Sequence, residues 1–159
     1  MTTTFSITKI RELVFILNES GFNGDLNSPV RIDFQHAVVV NEGSSILSFI
    51  LKCIFTYSDN PSTILVEHHL QNDFIVEDLK QFLHSGKNIT LPQPVWIDIL
   101  EVSVSHSRAY LTQRLAGTNF QHKIIPIVDA KAMADQIFNT VQMPPKKINT
   151  HNIKKTKAK

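Results

Sequence analysis

Twelve consecutive residues, Ile46 to Tyr57 (ILSFILKCIFTY), alternate with a period of two. Leu47, Phe49, Leu51, Cys53, Phe55 and Tyr57 form an unbroken apolar row, and Ile46, Ser48, Ile50, Lys52, Ile54 and Thr56 a mixed one. Successive side chains of a strand point to opposite faces, so this pattern specifies a β-strand with one face committed to a core. Such a strand needs partners, and the flanking sequence supplies them. Val30 to Val40 alternates in the same way, with Val30, Ile32, Phe34, His36, Val38 and Val40 on one side. Asn41–Ser44 (NEGS) is a hairpin signal between the two, and SDNPS after Tyr57 is a turn before a further strand over Thr63–Leu70.

Phe5 to Asn18 is rich in β-branched and aromatic residues, but Lys9 and Arg11 interrupt its apolar parity. A strand is expected there, with a short helix as the competing reading. The following NESGFNGDLNSP is too long for a tight hairpin, so the strand at Val30 need not pair with the first. Four strands with two tight connections predict an antiparallel sheet.

Helical patterns come later. Residues Ile75–Leu83 (IVEDLKQFL) fit a short helix. Pro94 suits a helical first turn, and Ile97, Leu100, Val104, Leu111 and Leu115 then step at helical spacing to Gly117, a C-terminal cap. WIDILEVSVS also alternates, which leaves a strand reading open at that point. A second helix opens at Asp129 as N-cap, carries Met133, Ile137, Phe138 and Val141 on one face, and stops at Pro144-Pro145. Strands followed by helices predict an α+β fold, a four-stranded antiparallel sheet with two helices on one face. The second and third strands carry apolar residues on both parities, more than one helical layer covers. That excess implies self-association or a binding groove.

The 159 residues favour one domain, at 42% apolar and 19% charged. All fourteen acids precede Gln136, while PPKKINTHNIKKTKAK holds six lysines and no acid. The division expected is therefore a domain over 1–143 and a basic, disordered tail over 144–159. One cysteine, Cys53, fits a reducing compartment. With no signal-peptide pattern at the N-terminus and no apolar run approaching the roughly 20 residues of a membrane span, the expected location is the cytoplasm.

Enzyme chemistry finds little support. His68 and His69 are strand neighbours whose side chains point to opposite faces, so no shared metal is expected. Cys53 reads as a buried thiol, and the acid pairs Glu77-Asp78 and Asp98/Glu101 as solvated charge. Five glycines form no phosphate loop. The lysine tail lacks interleaved aromatics, so no nucleic-acid partner is expected. No cofactor, metal or catalytic residue is assigned.

Several stretches, in order, resemble the SecB family of protein-export chaperones. They are FSITKIRELVFILN, PVRIDFQHA, ILVEHHLQNDFIVEDL and, most characteristic, SRAYLTQRLAGTNFQHKIIPIVDAKAM. The resemblance implies a Greek-key sheet, a homotetramer built as a dimer of dimers, and ATP-independent holding of unfolded preproteins in apolar grooves. It places Val30, Ile32, Phe34, Met133, Ile137 and Phe138 at the client groove, and Glu67 with Leu65 at the docking site for the SecA motor. This chain departs from the family in its basic tail and in carrying Val14 and Asn18 where members carry acids, which puts motor docking in doubt. Two alternatives stay open: a SecB-like chaperone dedicated to one partner, such as the antitoxin of a toxin–antitoxin system, and a small-ligand-binding protein.

Overall fold

The computed structural model describes residues 4–41, 43–84 and 88–139, with residue 88 and residues 137–139 described by backbone alone. Four long strands, β1 (Phe5–Leu17), β2 (Val30–Asn41), β3 (Ile46–Tyr57) and β4 (Ile64–Val76), form one sheet in the order β1-β4-β3-β2. Every neighbouring pair is antiparallel, with hairpins β2–β3 and β3–β4 and a long return from β1 to the far edge. This is the Greek-key arrangement. A two-residue hairpin, β5 (Leu83–His84) with β6 (Asn88–Ile89), precedes α1 (Gln93–Leu115) and α2 (Ala130–Asn139).

The odd-numbered row of β3 is the floor of the core: Leu47, Phe49, Leu51, Cys53 and Phe55 are fully buried. Helix α1 packs against β3 and β4, and α2 packs against α1. The buried stripe of α1 runs through Trp96, Ile99, Leu100, Ser103, Ser107 and Leu111. Small serines in mid-stripe let the helix lie close to the sheet. The strand alternative for WIDILEVSVS is thereby excluded.

The interrupted parity of β1 has a structural cause. Register shifts fall between Ile7 and Lys9 and between Glu12 and Val14. Each inserts one extra residue, Thr8 and Leu13, and so returns the following residues to the same face. Phe5, Ile7, Ile10, Glu12, Phe15 and Leu17 all pair with the core-facing row of β4. The Thr8 hydroxyl donates to the Asp73 carbonyl (3.1 Å), pinning the first bulge.

One expectation needs correction. Residues 75–83 do not form a helix: β4 continues to Val76, and a single 3₁₀ turn covers Leu79–Phe82. Residues 71–75 hydrogen-bond to strands on both sides, β1 and β3, and that pairing outweighs the local helical pattern. The expected domain limit at 143/144, the tail and the predicted helix stop at Pro144-Pro145 lie outside the described residues.

Candidate functional site

After α1 the chain makes a tight exit, crosses the molecule without regular structure, and enters α2. Gly117 sits at φ 78, the left-handed conformation that glycine adopts at least cost when it ends a helix. The Thr118 hydroxyl donates to the Leu115 carbonyl (2.8 Å) and accepts from the Phe120 N–H (3.1 Å), turning the chain back. Phe120 is then buried edge-on against Phe22, with ring centres 5.7 Å apart.

Three further contacts hold the strip 122–128 in place. Lys123 Nζ donates to the carbonyls of Leu26 (2.7 Å) and Ser28 (2.8 Å) in the β1–β2 loop. Ile125 is buried. From α1, Arg108 Nε donates to the Ile125 carbonyl (2.9 Å) and its terminal nitrogen to the Pro126 carbonyl (2.6 Å). At the far end Asp129 caps α2, accepting from the Ala132 N–H at 3.0 Å.

The pinned strip and α2 form one wall of a groove whose other wall is β2. Two adjoining cavities of about 420 and 440 Å³ lie along it and share Ile32 and Phe34. Val30, Ile124 and Pro126 line the first; Val128 and Met133 line the second. Val30, Ile32, Phe34 and Met133, named from the sequence, are thus brought together, each half-buried. Ile137 and Phe138 lie on α2, but their side chains are outside the described residues.

The backbone of β2 is also available. The Ser58 N–H donates to the Pro29 carbonyl (3.0 Å), which makes Pro29–Ser58 a hydrogen-bonded pair of the ladder. Such pairs alternate along an antiparallel ladder. Arg31, Asp33 and Gln35 therefore bond to β3, and Val30, Ile32 and Phe34 turn their N–H and C=O toward the open edge. β2 is an edge strand with no described strand beyond it. The same residues offer apolar side chains to the groove and backbone groups to its rim.

The opposite sheet face is different. Glu67 is engaged by Lys52 Nζ (2.8 Å) and the His69 ring (2.7 Å), and those contacts hold its carboxyl below the usual range. Asp73 accepts from Ser48 (2.6 Å) and Gln71 (2.5 Å), with Arg11 at 3.6 Å. Burial works against its charge, but these partners outweigh it and lower its pKa. Leu65, expected beside Glu67 at a docking surface, is fully buried. It is the extra residue of the β3–β4 register shift and lies under Gly21, so its side chain is not presented for docking.

Between α1 and the sheet lies a buried polar set that local pattern did not reveal. His68 is fully buried 3.4 Å from Glu12, which pairs with Arg114. His106 Nδ1 contacts the Asn72 side-chain oxygen at 2.7 Å. Burial pushes the Cys53 thiol up to about 12, against a weaker opposing contact from Ser107, so the thiol is inert. Among the described residues no three His, Cys, Asp or Glu side chains converge as a metal site requires, and no helix is long and apolar enough to cross a membrane.

No protein-family model matches the sequence, and no curated protein matches it. Among solved structures, the chain is similar to the Mycobacterium tuberculosis SecB-like chaperone in complex with a ChAD peptide from the HigA1 antitoxin. The TM-score is 0.52 at 16% identity, over 78% of this chain and 90% of that one. The chain has a SecB-like fold. The stretch Ser107–Met133 that carried the resemblance in sequence includes Arg108, Gly117, Phe120 and Ile125. In the structure these four turn and pin the groove wall; Gly117 was legible as a helix cap, but no local pattern discloses the roles of Arg108, Phe120 and Ile125, because their partners lie elsewhere in the chain.

Proposed function

We propose that this protein is a non-enzymatic holdase chaperone that binds unfolded polypeptide, in extended form, along the groove between β2 and the strip leading into α2. One observation carries the reading. Val30, Ile32 and Phe34 present apolar side chains to the groove and free strand-edge backbone to its rim, the two features an added strand uses. A segment docked there would pair with backbone, which is independent of client sequence, and bury alternate side chains against Phe34 and Met133. In this reading the holdase acts in the cytoplasm and needs no ATP. The solved SecB-like chaperone with its antitoxin peptide supports a polypeptide client.

Two uses of the groove follow, holding preproteins for export and guarding one dedicated partner such as an antitoxin. The sheet face favours the second. Export requires docking to the SecA motor, and the acid available for it, Glu67, is already paired with Lys52 and in contact with the His69 ring. The outer sheet face also exposes Ile16, Val39 and Ile75 (42–55% exposed), which supports burial in a homotetramer.

The test is suppression of aggregation of an unfolded model protein. The native chain should suppress it at stoichiometric ratio without nucleotide. Ile32→Ser with Phe34→Ser should lose most of that capacity while circular dichroism persists. Full capacity in the folded double variant would overturn the reading.

A further inference from the structure

The groove is polar at both ends, and the two ends differ in sign. Where β2 begins, the first cavity is closed by Asn27, Ser28, His122 and Lys123. Lys123 spends two of its three N–H donors on the Leu26 and Ser28 carbonyls, which fix its position without neutralising it. No ion pair links it to an acid among the described residues. At the other end, the second cavity is bounded by Asp33, Asp129 and Gln136. Asp33 is paired with Arg31 at 2.8 Å, and Asp129 accepts a backbone N–H but has no cationic partner among the described residues. The span between the ends follows β2 from Val30 to Phe34, about 13 Å at strand rise.

We propose that the groove reads the order of charges in its client: a basic residue, then apolar residues at alternate positions, then an acidic residue. An antiparallel added strand makes the better-aligned hydrogen bonds, and it sets the direction. The C-terminal end of the segment then lies at Val30, where its carboxylate takes the third donor of Lys123. The N-terminal end lies at Asp129, where a lysine or arginine is matched. Lys123 is half-buried and Asp129 is exposed; a base at the first or an acid at the second meets like charge, so the reversed segment is disfavoured twice. This inference rests on the groove reading above and adds client specificity to it.

The test uses three capped peptides of equal length with one shared apolar core. The first has lysine before the core and glutamate after it, the second has the two exchanged, and the third has glutamine at both positions. Composition is identical in the first two, so non-specific charge attraction cancels. Calorimetry on the full chain should show the first binding about threefold to tenfold tighter than the second, with the neutral peptide between them. Lys123→Gln keeps an amide donor for the Leu26 and Ser28 carbonyls and removes the charge. It should shrink the preference, as should Asp129→Asn, which keeps the helix cap. Equal affinities for the two charged peptides, or a preference unchanged in both variants, would overturn the proposal while neutral-peptide binding left the groove intact. Failure of all three peptides to bind would overturn the groove reading and this proposal together.

Discussion

Arg108 is the strut of the groove wall, and removing it should open the wall before it unfolds the protein. Its guanidinium makes two hydrogen bonds to carbonyls of a strip that has no ladder of its own, at 2.9 Å to Ile125 and 2.6 Å to Pro126. Hydrogen bonds to charged groups contribute about 1.5–3 kcal/mol each when buried. The Pro126 bond is exposed and counts for much less, so Arg108→Ala should cost about 2 kcal/mol in total. That corresponds to about a 30-fold rise in the open population of the strip. If the loss is felt by the whole domain, the melting temperature falls by about 4–8 °C. Native-state proteolysis reads the local event directly, because Lys123 is a trypsin site inside the strip. Cleavage there should quicken by about 30-fold, and client affinity should drop as the closed groove becomes rarer. Arg108→Lys retains one point donor and should fall between. Unchanged cleavage at Lys123 together with unchanged client affinity in Arg108→Ala would refute the strut.

Other outcomes follow from the same structure. Burial holds the pKa of His36, His68 and His106 below 6.5, so the unfolded chain takes up their protons first. The stability they contribute is complete above pH 6.5 and is lost as pH falls below it. Glu12 opposes the shift at His68, while His69 and Arg114 reinforce it. The urea midpoint should therefore decline from pH 7.5 to 5.5, and His68→Gln should flatten the decline; a midpoint constant over that range would contradict the burial argument. Glu67→Gln should leave binding to a SecA C-terminal peptide as weak as in the native chain, since that one acid is half-buried and already engaged by Lys52 and His69. Tight, Glu67-dependent binding by calorimetry would restore the export role.

The parts of the fold legible in sequence are those whose signal is local and periodic. The alternation of β3 announced the core floor, and that of β2 announced Val30, Ile32 and Phe34. Asp129 announced the start of α2. The interrupted parity of β1 was visible as a defect, but its cause, two bulges, depends on the register against β4. The length of β4 was misjudged because pairing on both edges, not propensity, carries it to Val76. Arg108, Lys123 and the Glu12–His68–Arg114 set were not legible as structural parts. Their partners lie 17, 97 and 102 residues away in the chain, and the chemistry appears once the topology brings them together.

The most direct test of the account is site-specific photocrosslinking to an unfolded client. A photoreactive residue is placed at Phe34 or Met133 in the groove, and in a separate protein at Ile75, which is 42% exposed on the opposite sheet face. The account predicts efficient capture from positions 34 and 133, competed by excess unlabelled client, and little from position 75. Equal capture from all three positions, or capture from position 75 alone, would contradict it.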